Sequence, residues 1–262
     1  METLRFGYSP CPNDTFAFHA LAHGLVDAPF RVEPVLADIE ELNQRARSGE
    51  LELTKLSYGA FPAVGERYRL LRSGAALGHG CGPLVVAREP MSLAEAVAGP
   101  LAIPGRDTTA FLLLRLAAGA PAEPVELRYD RILAAVEDGD VPAGLVIHES
   151  RFTYQEHGLV KVADLGEWWE ADTGLPVPLA GICARADLIE ETRLAAEQAL
   201  RASVEYAFAH PEASRAYVRA HAQELSDEVC AAHIALYVNE FSIDLGDDGL
   251  GAVDALVAAA TR

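Results

Sequence analysis

Although 50% of the 262 residues are hydrophobic, no apolar run approaches the roughly 20 residues that a helix needs to cross a bilayer. A membrane span is not expected. Basic residues are scarce: 21 Lys and Arg stand against 39 Asp and Glu, a formal net charge of -18. Binding along a phosphate backbone needs clustered Lys and Arg, so nucleic acid is excluded as a partner. A small anion would have to be held by local devices, helix N-termini and single basic side chains, against the overall field. Only four cysteines occur, Cys11, Cys81, Cys183 and Cys230, with no Cys-x-x-Cys pair. That spacing offers neither a disulfide framework nor a thiolate zinc site. The residues from Met1 to Tyr8 lack a basic segment followed by an apolar one, so no export signal and a cytoplasmic location are expected. Repeats, low-complexity tracts and long linkers are also missing.

What is present is a rhythm of short apolar runs and helical stretches. Up to about Arg88 it runs Leu4 to Tyr8, Thr15 to His23, Arg31 to Val35, Ile39 to Arg47 and Leu51 to Leu56, which reads β-α-β-α-β. Asn13, Asp14 and Thr15 offer N-caps to the first helix and Gly24 a stop; Asp38 and Gly49 bracket the second. After Gly99-Pro100 the rhythm restarts: strand Leu101 to Ile103, helix Thr108 to Ala118, strand Val125 to Arg128, a helix near Ile132 to Val136, strand Leu145 to Ile147. From Arg185 onward only helices are expected, packing back on the first part. The fold class is α/β: two α/β lobes about a central cleft, the larger from 1–88 and 180–262, the smaller from 89–179. Two apolar runs, Pro83 to Ala87 and Val177 to Cys183, are read as the crossings that hinge such a clamp.

In open α/β sheets ligands sit beyond the carboxyl ends of strands, so the loops that follow strands carry the chemistry. Ser9-Pro10-Cys11-Pro12-Asn13-Asp14-Thr15-Phe16 leads into a helix start that can bind an anion, with Asn13 as a contact; an ordinary rigid turn is the plainer reading. Gly105-Arg106-Asp107-Thr108-Thr109-Ala110 forms a second such start across the cleft. Lys55-Leu56-Ser57 puts a cation and a hydroxyl at the same rim, where solvated surface groups are the plainer reading. Gly78-His79-Gly80-Cys81-Gly82-Pro83 lacks the Gly-x-Gly-x-x-Gly spacing of a nucleotide loop and reads as a hinge or close backbone approach. His148 ends the apolar run Leu145-Val146-Ile147, beside Glu149. An unperturbed imidazole pKa of about 6.5 suits a general base at neutral pH, whereas a structural hydrogen-bonding role is the plainer one. His19 and His23 lie four apart without the Glu of a metalloprotease motif, and no Gly-x-Ser-x-Gly elbow occurs.

The run from Ser9 to Phe16 resembles the opening signature of the 1,4-dihydroxy-6-naphthoate synthases of the futalosine route to menaquinone. Lys55 to Ala60, Gly80 to Leu84, Pro104 to Ala110, Ile147 to Tyr154 and Tyr237 to Ser242 resemble further segments of that family, in family order, over nearly the whole chain. The resemblance implies a type II periplasmic-binding-protein fold adapted to a lyase. Such an enzyme acts on anionic cyclic dehypoxanthinylfutalosine with no metal or organic cofactor. It further implies His148 as proton acceptor, substrate contacts from Lys55, Leu56 and Ser57, and a further part of the site from Thr109 and Ala110. Ser150 stands where many relatives are expected to carry glycine. Two alternatives share the fold: chorismate dehydratase of the same pathway, and a solute-binding protein that does no chemistry.

Overall fold

The computed structural model describes residues 2–222 and 226–261. Eleven strands occur among them: β1 (Thr3–Tyr8), β2 (Arg31–Leu36), β3 (Leu53–Ser57), β4 (Tyr68–Leu70), β5 (Ala76–Gly78), β6 (Leu84–Ala87), β7 (Pro100–Ile103), β8 (Glu123–Glu126), β9 (Ala143–Val146), β10 (Val160–Asp164) and β11 (Val177–Arg185). They form two sheets, ordered β2-β1-β3-β11-β4 with β5 also on β11, and β10-β6-β9-β7-β8. β1 pairs in parallel with β2 and β3, and β7 with β8 and β9, while β11 and β6 run antiparallel to their neighbours. The α/β class and the two-lobed arrangement are as expected.

Strand β1 alternates inward Leu4, Phe6 and Tyr8, all fully buried. Phe18 of the helix Pro12–Ala22 meets two of these rings, at 5.1 Å from Phe6 and 5.4 Å from Tyr8. Such aromatic pairs add to simple area burial and fix the first helix on its sheet. The long helix Glu190–Ala209 then closes the other side. Ser203 Oγ donates to Ala17 O at 2.8 Å and accepts the Leu21 N–H at 3.1 Å. The helices Arg215–His221 and Asp227–Tyr237 also pack on the helix Pro12–Ala22.

Two boundaries differ. The first helix starts at Pro12, not Thr15: Cys11 occupies the cap position without a side-chain bond and Pro12 takes the first turn, where a missing N–H costs nothing. Asn13, Asp14 and Thr15 therefore lie inside the helix: Thr15 Oγ1 donates back to Cys11 O at 3.0 Å, while the Asn13 and Asp14 side chains serve other partners. The run Pro83–Ala87 is not a crossing. Leu84–Ala87 is strand β6, which pairs with β9 and β10 inside the second sheet, and Val177–Cys183 lies within β11 in the first. Apolar runs of this length read equally well as buried strands. The chain passes between sheets at residues 79–83 and 174–176, and Val177 pairs with Gly78, so the two passages run side by side. A Cβ on Gly82 would sit 2.2 Å from the Gly166 amide nitrogen; the glycine-rich stretch is a close backbone approach.

Candidate active site

A cavity of about 70 Å³ lies between the sheets. On the first lobe its wall is β3 and the start of the helix Pro12–Ala22. β3 is buried along its length, and its period of two sends Lys55 and Ser57 to the cavity. Leu56 points the other way, into a core with Ala46, Val64, Tyr68 and Cys183. Any contact of Leu56 with a ligand would therefore come from its backbone.

The Lys55 ammonium forms a buried ion pair with Asp14, the side chains being 5% and 2% exposed. Asp14 also accepts from the Ser9 N–H at 3.0 Å, the Ser9 hydroxyl at 2.7 Å and Asn13 Nδ2 at 2.8 Å. A buried charge pair survives only when its remaining valences are met, and here they are. Asn43 braces Ser57 twice: Nδ2 donates to Ser57 Oγ at 3.0 Å, and Oδ1 accepts the Ser57 N–H at 2.9 Å. With its oxygen occupied by a donor, the Ser57 hydroxyl is left to donate. Asn13 lines the cavity and its Oδ1 is buried without a partner.

From the second lobe come Thr108, Thr109 and Ala110, the cap and first turn of the helix Thr109–Ala118. The Thr108 hydroxyl caps Phe111 N–H at 3.2 Å, leaving the N–H groups of Thr109 and Ala110 without intrahelical acceptors. The Thr109 hydroxyl has another task. It donates to Leu179 O at 2.5 Å and accepts the Gly59 N–H at 3.1 Å, which ties its helix to β11 and to the turn after β3. A Cβ on Gly59 would approach Thr108 O to 2.8 Å. Nearby, Arg47 grips Asp107 at 2.6 Å, and Glu40 Oε1 accepts the Asp107 N–H at 3.3 Å. Burial pushes the Glu40 carboxyl up to about 7.

His148 follows β9 and lines the cavity, as anticipated. It is the sole non-glycine residue with positive φ, 58°, among those described. Left-handed backbone is uncommon for such a residue and clusters at functional sites. Arg151 fixes the turn: its N–H donates to His148 O at 3.3 Å, while its guanidinium bonds Gly82 O and pairs with Asp164 at 2.8 Å. Ser150, at the expected glycine position, opens the short helix Ser150–Thr153 without positive φ, so a serine is accommodated. The imidazole lies edge to face with Tyr129, centroids 4.8 Å apart, and its Nε2 is buried without a partner. Burial pushes its pKa down to about 4, Lys55 adds to the shift and Asp14 opposes it. The expected value near 6.5 belongs to a solvated ring; here the ring is neutral at pH 7 with a lone pair to offer.

One wall was not foreseen. His233, on the helix Asp227–Tyr237, is 1% exposed and borders the same cavity, its ring 6.4 Å from that of His148. The available signal was a histidine three residues after Cys230 and four before Tyr237, on the buried stripe of that helix. The fold also gathers Cys11, His148 and Glu149, whose ligating atoms lie within 4.8 Å of one another, a cluster that linear spacing does not reveal. Burial raises the Cys11 thiol well above its usual value, and Glu149 adds to this, so the thiol is protonated at neutral pH. A metal bound there would occupy the imidazole that otherwise accepts a proton.

Residues 4–262 match the family model described as menaquinone biosynthesis. The chain belongs to this family. It is 58% identical over 260 residues, 99% of this chain and 94% of the relative, to a Thermus thermophilus protein named 1,4-dihydroxy-6-naphthoate synthase. A crystal structure of an Archaeoglobus fulgidus protein matches with a TM-score of 0.94 at 37% identity, covering 99% of this chain and 97% of that one. The periplasmic aliphatic sulphonate-binding protein SsuA of Escherichia coli matches with a TM-score of 0.68 at 15% identity, over 100% and 86%. At that identity the likeness is one of fold, and the fold is that of periplasmic binding proteins. Among the described residues no helix is long and apolar enough to cross a membrane.

Proposed function

We propose that the chain is a lyase of menaquinone biosynthesis that converts cyclic dehypoxanthinylfutalosine to 1,4-dihydroxy-6-naphthoate, with His148 as the proton acceptor. The observation that carries the reading is the His148 imidazole itself: neutral, held on a left-handed backbone, with an unpartnered Nε2 at the cavity between two helix starts. The relative's name, which gives the product, supports the outcome of the reaction. The substrate's carboxylate binds the free N–H groups of Thr109 and Ala110 and the Ser57 hydroxyl, with Asn13 and the Lys55 ammonium beside it. A bound anion near His148 raises the proton affinity of the ring, so binding strengthens the base. Proton removal next to the ketone, followed by expulsion of the sugar-derived portion, yields an aromatic naphthoate, which makes the step downhill. Redox chemistry is not required, since no electrons are gained or lost overall.

The test is incubation of the purified chain with cyclic dehypoxanthinylfutalosine and, separately, with chorismate. The expected result is 1,4-dihydroxy-6-naphthoate from the first and no change in the second. Turnover of chorismate would replace this reading with the dehydratase, and tight binding without turnover would replace it with a solute-binding protein.

A further inference from the structure

His233 has a chemistry that packing does not explain. Its helix presents Cys230, His233 and Tyr237 on its buried stripe, positions that an apolar side chain fills at less cost. Both ring nitrogens of His233 are buried and neither has a partner. Buried polar groups are almost always bonded, and an unbonded one loses its hydration without return. The ring is instead steered by aromatic contacts: Tyr237 at 4.6 Å on its own helix, and Phe152 at 6.2 Å and His148 at 6.4 Å on the facing lobe. All polar capacity of the side chain is thus left to whatever fills the cavity. Burial holds its pKa well below the ordinary value, and the neighbouring His148 and Lys55 push it in the same direction. A neutral imidazole has one N–H donor and one acceptor.

We propose that His233 is a second catalytic residue, whose neutral N–H donates to the substrate's ketone oxygen while His148 takes the proton from the adjacent carbon. This rests on the reaction proposed above. The C–H bond breaks and its proton goes to His148. Its electron pair forms the C=C bond of an enolate as the carbonyl π pair moves onto oxygen, where His233 meets the growing negative charge. No oxidant or reductant enters. Because the two imidazoles border one cavity, a single planar ligand touches both. The donor is fixed before the charge appears, in a place with little water, the condition under which such a hydrogen bond favours the transition state over the ground state.

The experiment compares His233→Phe, His233→Leu and His233→Gln in kcat and KM, with folding checked by circular dichroism. Removal of one preorganised donor to an oxyanion lowers kcat by about 10²–10³-fold, and this is expected for Phe and Leu with KM moving far less. Gln, which keeps an N–H donor, should recover at least tenfold of the loss, a rescue that a packing role would not give. Wild-type turnover together with a folded Phe or Leu variant within about fivefold of wild-type kcat would overturn the assignment of His233. So would a Gln variant no better than Leu. Absence of naphthoate from the wild-type chain would instead strike the reaction itself, a separate and visible outcome.

Discussion

On the first-lobe side of the cavity, Asp14 accepts from Lys55, Asn13 and twice from Ser9, and Asn43 grips both the N–H and the hydroxyl of Ser57. By contrast His148 Nε2, on the second lobe, and both nitrogens of His233, on a C-terminal helix packed against the helix Pro12–Ala22, have nothing to bond, and His148 sits on strained backbone. The wall built by Ser9, Asp14, Lys55 and Ser57 is nearly saturated, with Asn13 Oδ1 and the Ser57 O–H left for a ligand, so it can position one without moving. The two histidines, one from each lobe, hold their capacity in reserve for the reacting atoms. Preorganisation and reactivity are thereby placed on different elements, and substitutions on the two sides should fail in different ways.

The largest effect is expected from His148→Ala, which should stay folded and bind substrate while turnover falls by about 10²–10⁴-fold, the usual contribution of a positioned base. Stopped assays with a binding measurement check this, and near-normal turnover in a folded variant would remove the base. On the saturated wall the failure should be one of stability. Lys55→Met leaves Asp14 as an uncompensated buried charge, which costs about 3–5 kcal/mol, read as a lower melting temperature. If melting were unchanged, the contrast between the walls would not hold.

The pH dependence sharpens the comparison. With His148 depressed to about 4, the acid limb of kcat/KM for the free enzyme should fall near that value instead of near 6.5. In stability terms the sign is fixed: the ring's contribution is present above the unfolded value of about 6.5 and is lost as pH falls through about 4. Glu40, raised from 4.5 to about 7, behaves oppositely. Its contribution is full below 4.5 and is lost as pH rises through about 7, so Glu40→Gln should flatten the decline in melting temperature between those values. The smallest effect is expected from Thr109→Val, about 0.5–1.5 kcal/mol for a neutral hydroxyl bond. Since that hydroxyl joins the lobes, the loss should show first in scattering as a larger radius of gyration without ligand. A loss of ligand affinity with no change in shape would instead make the Thr109 hydroxyl a direct contact.

Much of the architecture was legible because strand and helix periods survive in the sequence, and the loops after β1, β3, β7 and β9 could be named before any contact was known. His148 was legible because it ends an apolar strand. For Leu56 the contiguous motif does not say which atoms face the cavity, since a strand sends alternate side chains to opposite faces and leaves only its backbone on that side. β6 was misread because Leu84–Ala87 is apolar on both faces, a pattern that hides which sheet it joins. His233 left only a faint trace, one polar residue on a buried helical stripe, and its meaning depends on a facing lobe 85 positions earlier in the chain (233 against 148). Cys11 meets His148 and Glu149 only through the fold.

The cavity's volume of about 70 Å³ is well under the roughly 300 Å³ at which pockets for drug-sized ligands begin. The substrate proposed above, a bicyclic acid carrying a sugar remnant, is larger than this cavity, so its binding calls for the lobes that Thr109 and the Arg47–Asp107 pair join to separate. The proposed cycle would then contain two large-scale movements, one to admit and one to discharge, and movements of this kind run on microsecond to millisecond scales and often limit turnover. Friction with the solvent then becomes part of the rate law: kcat should fall as glycerol or sucrose thickens the medium, in a wild-type enzyme whose chemistry is fast, and should become indifferent to viscosity once loss of the His148 imidazole makes the chemistry slow.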